Sequence, residues 1–370
     1  MNVDRRELLQ IAGGLAYAGA LAGTLAGGWP SVLKAQEPAS TGKRQKPIRV
    51  GQIGVGHAHA TKLAVYRASP DYEVVGLVEP DPVLRAKAQT QAPFRDCTWM
   101  SEEQLLESPD LQVVLVETQI HDLLATAARC VEAGKHIHLD KPAGASLPEF
   151  SKLLKQAQQK SLLVQMGYMY RYNPAIVLLR QLLAEGALGD VFEVHAVMSK
   201  VVDIEGRVRH AEYSGGMMFE LGCHLIDLVV GLIGAPQKIT PYVQHASVID
   251  DKLNDNMLAV FEYPRALATV KTSAMEVDGF ARRHLVVCGS KGTMHIQPLD
   301  APAARLTLSK PHGEYAKGTH ELTFPTFPRY VADAADMASI LRGEKSSDFS
   351  YAHDLAVQTT VLQAAQMSAS

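Results

Sequence analysis

Apolar and polar positions along this chain alternate in short blocks whose period changes near the middle. Ile48 to Ile53 is a short apolar run, followed by a helix-like stretch from Thr61 to Ala68 and a second apolar run from Glu73 to Val78. A helix ends over Leu105 to Ser108, and Gln112 to Val116 reads as a strand. Asp122 to Ala133 reads as a helix stopped by Gly134, and His136 to Leu139 as a strand. Leu147 to Lys160 is helical and Leu162 to Met166 extended. Strand and helix in regular alternation predict a parallel, doubly wound sheet, a Rossmann-type domain over residues 48–165. After a helix over Ala175 to Ala184 the character changes. Val191 to Val202, Lys238 to Val248, Met257 to Tyr263, Ala266 to Ala274, Arg283 to Cys288, Thr293 to Gln297 and Arg305 to Leu308 read as strands with turn residues between them. Such a run predicts a second, α+β domain over residues 166–370 with a mainly antiparallel open sheet. Two amphipathic helices, Tyr330 to Leu341 and Tyr351 to Met367, close it.

One stretch of this second half breaks the pattern. Gly215 to Gly234 is apolar on almost every side, as a buried helix is, yet it carries Glu220, His224 and Asp227. At about 100° per residue these fall within roughly 60° of one another on a regular helix. Carboxylates are seldom buried unpaired, so the stripe is expected to face a polar cleft, with Asp227 among the substrate contacts. A carboxylate one turn before a histidine can fix its tautomer and sustain a general base. A purely structural Glu–His–Asp cluster fits the same residues. Metal ligation by them is the weakest reading, because no further ligand lies nearby in sequence. The segment Ser199 to Ser214 before it offers Arg207, Arg209, His210 and Tyr213 as substrate contacts, or a solvated loop.

Gly54-Val55-Gly56-His57 follows the first strand directly, and glycines there allow a tight turn and close approach of backbone to a pyrophosphate. His59 stands where a third glycine would be. Glu79 ends the second strand, roughly 20 residues on, where an acid accepts from a ribose 2′-OH and repels a 2′-phosphate. NAD is therefore expected over NADP. Lys141 lies at the end of the fourth strand before Pro142, where ligands of such sheets bind.

Charge and composition narrow the classes. The net charge is −3, with 47% hydrophobic and 20% charged residues among 370, which gives no reason to expect nucleic acid or an anionic membrane as partner. Cys97, Cys130, Cys223 and Cys288 form no disulfide or zinc pattern, and no metal is expected. Met1 to about Ala35, with Arg5-Arg6 before a Gly/Ala-rich apolar run, resembles a twin-arginine (Tat) export signal. Residues 36–47 read as a polar linker. The expected destination is the periplasm, without stable membrane association once the signal is cleaved; an uncleaved anchor is the alternative.

Taken in order, GVGHAH, AGKHIHLDKP, YRYNP at Tyr170 to Pro174, EGALGDV at Glu185 to Val191 and GGMMFELGCHLIDL resemble the motifs of the Gfo/Idh/MocA family of oxidoreductases. The resemblance implies hydride transfer between a nicotinamide and a sugar or polyol carbon, and assembly as a homo-oligomer. It implies Lys141, Glu220 and His224 as catalytic residues, with His121, Asp140 and Lys141 beside the nicotinamide and Tyr170, Arg171 and Asn173 at the substrate. Asp140 stands for the family's glutamate and Glu220 for its aspartate, and ETQIH at Glu117 to His121 replaces the usual T-P-N-x-x-H. The expected protein is thus an exported NAD-dependent sugar or polyol oxidoreductase. The alternatives are a glycoside-cleaving enzyme that oxidises, eliminates and re-reduces without net redox, or a sugar-binding protein that has lost catalysis.

Overall fold

The computed structural model describes residues 46–368; the export signal and nearly all of the linker read from the sequence lie outside the described residues. The first sheet is built from β1 (Ile48–Ile53), β2 (Tyr72–Val78), β3 (Val113–Val116), β4 (His136–Leu139) and β5 (Val164–Met166), all parallel, in the order β2-β1-β3-β4-β5. Every residue of β3 is fully buried. Crossover helices cover both faces of such a sheet, so its strands read as continuous apolar runs rather than alternating ones. A lone parallel bridge between Leu77 and Trp99 adds one pair at the β2 edge. Strand order reverses between β1 and β3, and the loops after them diverge to leave a crevice at their carboxyl ends. Gly54 makes the turn out of β1 with φ +95°, and a Cβ there would lie 2.4 Å from the Thr118 nitrogen. Only glycine fits that approach.

The second sheet holds β6 (Val191–Ser199), β7 (Lys238–Gln244), β8 (Asn256–Glu262), β9 (Leu267–Ser273), β10 (His284–Gly289), β11 (Gly292–Ile296), β12 (Ala303–Leu308) and β13 (Gly318–Thr323). Their order is β13-β12-β11-β10-β6-β9-β8-β7, antiparallel throughout except for the β6–β9 pair. Burial alternates along β8, so one face meets the core and the other does not. The helices Cys223–Ile233 and Tyr351–Ala364 pack together on the covered face. On the open face Tyr242 and Leu267 are more than half exposed. No helix among the described residues is long and apolar enough to cross a membrane.

Differences from the sequence reading are local. The helix Pro82–Gln89 and strand β13 were not anticipated. Asp81 caps the former by accepting from the Val83 and Leu84 amides, with Pro82 opening the first turn. The supposed loop after β6 holds a helix, Ile204–His210, capped by Asp203. The long helix expected over Gly215 to Gly234 is two pieces: a π-helical turn, Met218–Gly222, runs into the α-helix Cys223–Ile233.

Candidate active site

Three strand ends of the first sheet deliver charged groups to one point. Asp140, at the end of β4, is fully buried and has four polar groups around its carboxylate. Its Oδ1 takes the Lys141 amide at 2.7 Å and lies 3.1 Å from His59 Nδ1. Its Oδ2 takes Lys62 Nζ at 2.9 Å and lies 3.1 Å from His57 Nδ1. Burial alone would raise its pKa, but His57, Lys62 and His59 outweigh it and hold the carboxyl well below the usual range. Glu117, at the end of β3, goes the other way: burial and the adjacent Asp140 charge push it well above its ordinary value. Lys62 Nζ lies 2.8 Å from Glu117 Oε1 without the alignment of a hydrogen bond, and Oε2 has no partner at all. Lys62 also reaches His138 Nε2 at 2.7 Å, which fixes that ring as the tautomer donating from Nδ1 to Gln165 Oε1. Burial lowers His138 to about 3 and His59 to about 4, so both are neutral.

Lys141 crosses from this cluster to the second sheet. Its ammonium donates to the Glu220 carbonyl at 2.9 Å and lies 3.4 Å from Glu220 Oε1. Burial works against the charge, yet Glu220 more than compensates and Lys141 stays a cation. Glu220 in turn sits below its ordinary pKa, since Lys141 outweighs burial. His224 is only 3% exposed, and its Nδ1 is buried without a partner. Burial first, then the Lys141 charge, holds its pKa well below 6.5, so the ring is neutral. It stands 5.8 Å from the His59 ring and edge-on to Tyr170 at 5.4 Å. The expected Glu220–His224 hydrogen bond is absent: Glu220 Oε2 and His224 Nδ1 both lie buried without a partner. Glu220 serves Lys141 instead. Lys200 and His210 feel the Glu220 charge, and burial lowers His210 to about 4.

Other residues singled out in the sequence lie elsewhere. Asp227 does not share the cleft with Glu220; both its oxygens accept from Arg171, and the same guanidinium reaches Asp354 at 2.7 Å. Asn173 caps the helix Pro174–Ala184 through the Ala175 amide and donates to the Leu299 carbonyl. Tyr170 donates to Asp300 at 2.8 Å. His121 is half exposed beside Asp122, and Arg207 is buried against Asp251 and Asp255. Sequence reasoning gave no role to Lys62, Glu117 or His138. A lysine in a short amphipathic helix carries no sign of burial, whereas an acid ending an all-apolar strand does.

The crevice at the β1/β3 switch fits a dinucleotide. Gly56 and Ala58 are exposed on the turn, where backbone can approach a pyrophosphate. Glu79 is 8% exposed at the end of β2, its carboxylate fixed by the Val55 amide at 2.9 Å and the Asp81 amide at 3.0 Å. The sequence model of an oxidoreductase family with an NAD-binding Rossmann fold matches residues 48–168, and that of the GFO/IDH/MocA C-terminal domain matches 176–295. A trans-1,2-dihydrobenzene-1,2-diol dehydrogenase of Bos taurus is 25% identical over 274 residues, covering 72% of this chain and 79% of the relative. The scyllo-inositol 2-dehydrogenase (NADP(+)) of Bacillus subtilis is 26% identical over 211 residues, covering 55% and 58%. A solved levoglucosan dehydrogenase, in complex with NADH and levoglucosan, shares the fold with TM-score 0.72 at 17% identity over 87% of this chain and 98% of the other. The chain belongs to the Gfo/Idh/MocA family and is an oxidoreductase acting on CH–OH groups with a nicotinamide cofactor.

Proposed function

We propose that this chain is an exported, NAD-preferring dehydrogenase that moves hydride between the nicotinamide and a hydroxyl or ketone carbon of a sugar or polyol. The observation that carries the reading is a lysine held as a cation by Glu220 beside a neutral histidine with an unpartnered ring nitrogen, at the mouth of a dinucleotide crevice. When bound, the nicotinamide supplies the hydride acceptor. Lys141 then donates to the reacting oxygen and stabilises negative charge as it develops there. His224, kept neutral, accepts the hydroxyl proton. Glu220 positions the lysine rather than the imidazole. Glu79 offers a fixed negative charge to the adenosine ribose, which welcomes a 2′-OH and repels a 2′-phosphate. The twin-arginine segment supports export, and the half-exposed apolar side chains of the open sheet face support a homo-oligomer. The test is turnover of a panel of sugars and polyols, followed by nicotinamide absorbance with NAD and NADP in parallel. Turnover of at least one polyol, faster with NAD, is expected. Binding of NAD with no reaction in either direction across the panel would remove the dehydrogenase reading, and preference for NADP would remove the role given to Glu79.

A further inference from the structure

The turn after β1 holds a constellation that hydride transfer does not require. His57 and His59 stand one residue apart on this turn, while Glu117 and Asp140 end the neighbouring strands β3 and β4. Three strand ends thus bring two imidazoles and two carboxylates together, and ligating atoms of His57, His59 and Asp140 lie within 4.8 Å of one another. We propose that His57, His59, Asp140 and Glu117 form a binding site for a divalent transition-metal ion.

The hydrogen-bond pattern supports this. His57 Nε2 faces the Lys141 carbonyl at 3.1 Å and must donate to it. Its Nδ1 accepts from the His59 amide at 3.2 Å, so a lone pair sits there, only 3.1 Å from Asp140 Oδ2. Two acceptors in contact are stabilised by a cation between or beside them. Lys62 answers part of that need, at 2.9 Å from Asp140 Oδ2 and 2.8 Å from Glu117 Oε1. It leaves Glu117 Oε2 without a partner, fully buried and 3.8 Å from His57 Nδ1. The His57–Asp140 and His59–Asp140 separations, both 3.1 Å, match the edge of a coordination polyhedron. With metal–ligand bonds of about 2.0–2.2 Å an octahedral edge is about 2.8–3.1 Å and a tetrahedral one about 3.3–3.6 Å, so the spacing fits the octahedral case. The outer shell is built as well, since a ligating histidine commonly donates its other N–H to a backbone carbonyl, as His57 does. Mixed nitrogen and carboxylate donors select zinc, manganese, iron or cobalt over the all-oxygen preference of calcium and magnesium. The site adjoins the cleft, with the His59 ring 5.8 Å from that of His224.

Cobalt(II) is a suitable probe because its visible absorption reports coordination without any turnover, so the outcome is independent of the dehydrogenase reading. Chelator-treated full-length protein titrated with cobalt is expected to develop a stoichiometric ligand-field spectrum, displaced by zinc, and to melt at a higher temperature. His59→Gln and Asp140→Asn should each weaken binding by roughly 100-fold or more, the scale of losing a ligand rather than its outer-shell support. His195→Gln, on an exposed ring, should leave it unchanged. Absence of both the spectrum and the melting shift in the wild-type protein overturns the site, whether or not the variants fold. A spectrum that survives both substitutions overturns it too, by placing the ion elsewhere.

Discussion

At the scale of single residues, the proposed reacting groups divide by what holds them. Lys141 is anchored by Glu220 and is nearly inaccessible, while His224 is neutral and unpartnered at Nδ1. His224→Ala is expected to lower turnover by roughly 10²–10⁴, the usual contribution of a positioned acid–base group, with dinucleotide affinity almost unchanged. Lys141→Ala should lower turnover as well and also weaken the dinucleotide, since the lysine ends a strand of the first sheet. Glu220→Gln should act through Lys141, raising KM and leaving the pH dependence of His224 in place. Steady-state kinetics with a dinucleotide titration separates these effects. A His224→Ala protein with normal turnover and a lower melting temperature would make the histidine structural. The YRYNP motif shows the limit of assigning roles from sequence. Its arginine and asparagine are joined to Asp227, Asp354 and Leu299, so they build the frame around the cleft.

At the scale of elements, that frame depends on one guanidinium. Arg171 ties the turn after β5 to the helices Cys223–Ile233 and Tyr351–Ala364 through Asp227 and Asp354, all of them buried. Burial raises Asp354 while Arg171 pulls Asp227 down past the opposing effect of burial, so the two carboxylates share one cation unequally. Arg171→Met strands both acids, and a loss of about 3–5 kcal/mol of folding stability is expected, read from the denaturant midpoint. A change below about 1 kcal/mol would show the acids neutral in the fold. Asp333, in the first turn of the helix Val331–Leu341, gives a pH signature. Neither of its oxygens has a partner, and burial raises its pKa from 3.8 to about 7. The folded protein then keeps a proton that the unfolded chain has released. Stability should therefore fall as pH rises from about 4 to about 7 and level off above, by an upper bound of about 4 kcal/mol. Asp333→Asn should remove that slope. Parallel pH profiles for the two proteins would show the carboxyl already ionised in the fold.

At the scale of the whole molecule, the two sheets meet at the proposed site. Lys141 of the first reaches Glu220 beside the second, so neither sheet alone completes the site. The proposed export belongs to this scale too. Arg5-Arg6→Lys-Lys is expected to leave the precursor in the cytoplasm, because the twin-arginine route reads both guanidinium groups; fractionation and immunoblotting measure it. Full delivery of the double-lysine form to the periplasm would rule that route out.

Period and punctuation in the sequence determined the alternation of the first sheet, the run of strands in the second, the glycine turn and the acid that ends β2. These are local or nearly local properties, since a strand buried on both faces must be apolar throughout and a left-handed turn must be glycine. The candidates Lys141 and His224 stand out for a similar reason, one ending a strand and the other placed on an otherwise apolar helix. What only the tertiary structure decided is pairing. Glu220 went to Lys141, which the end of β4 brings to it, and Asp227 went to Arg171, where two helices converge. Lys62 was buried among Glu117, Asp140 and His138, residues 55 to 78 positions away, by the packing of its short helix against the strand ends. Those energies depend on distance in space and on the loss of water, and no regular spacing along the chain encodes either.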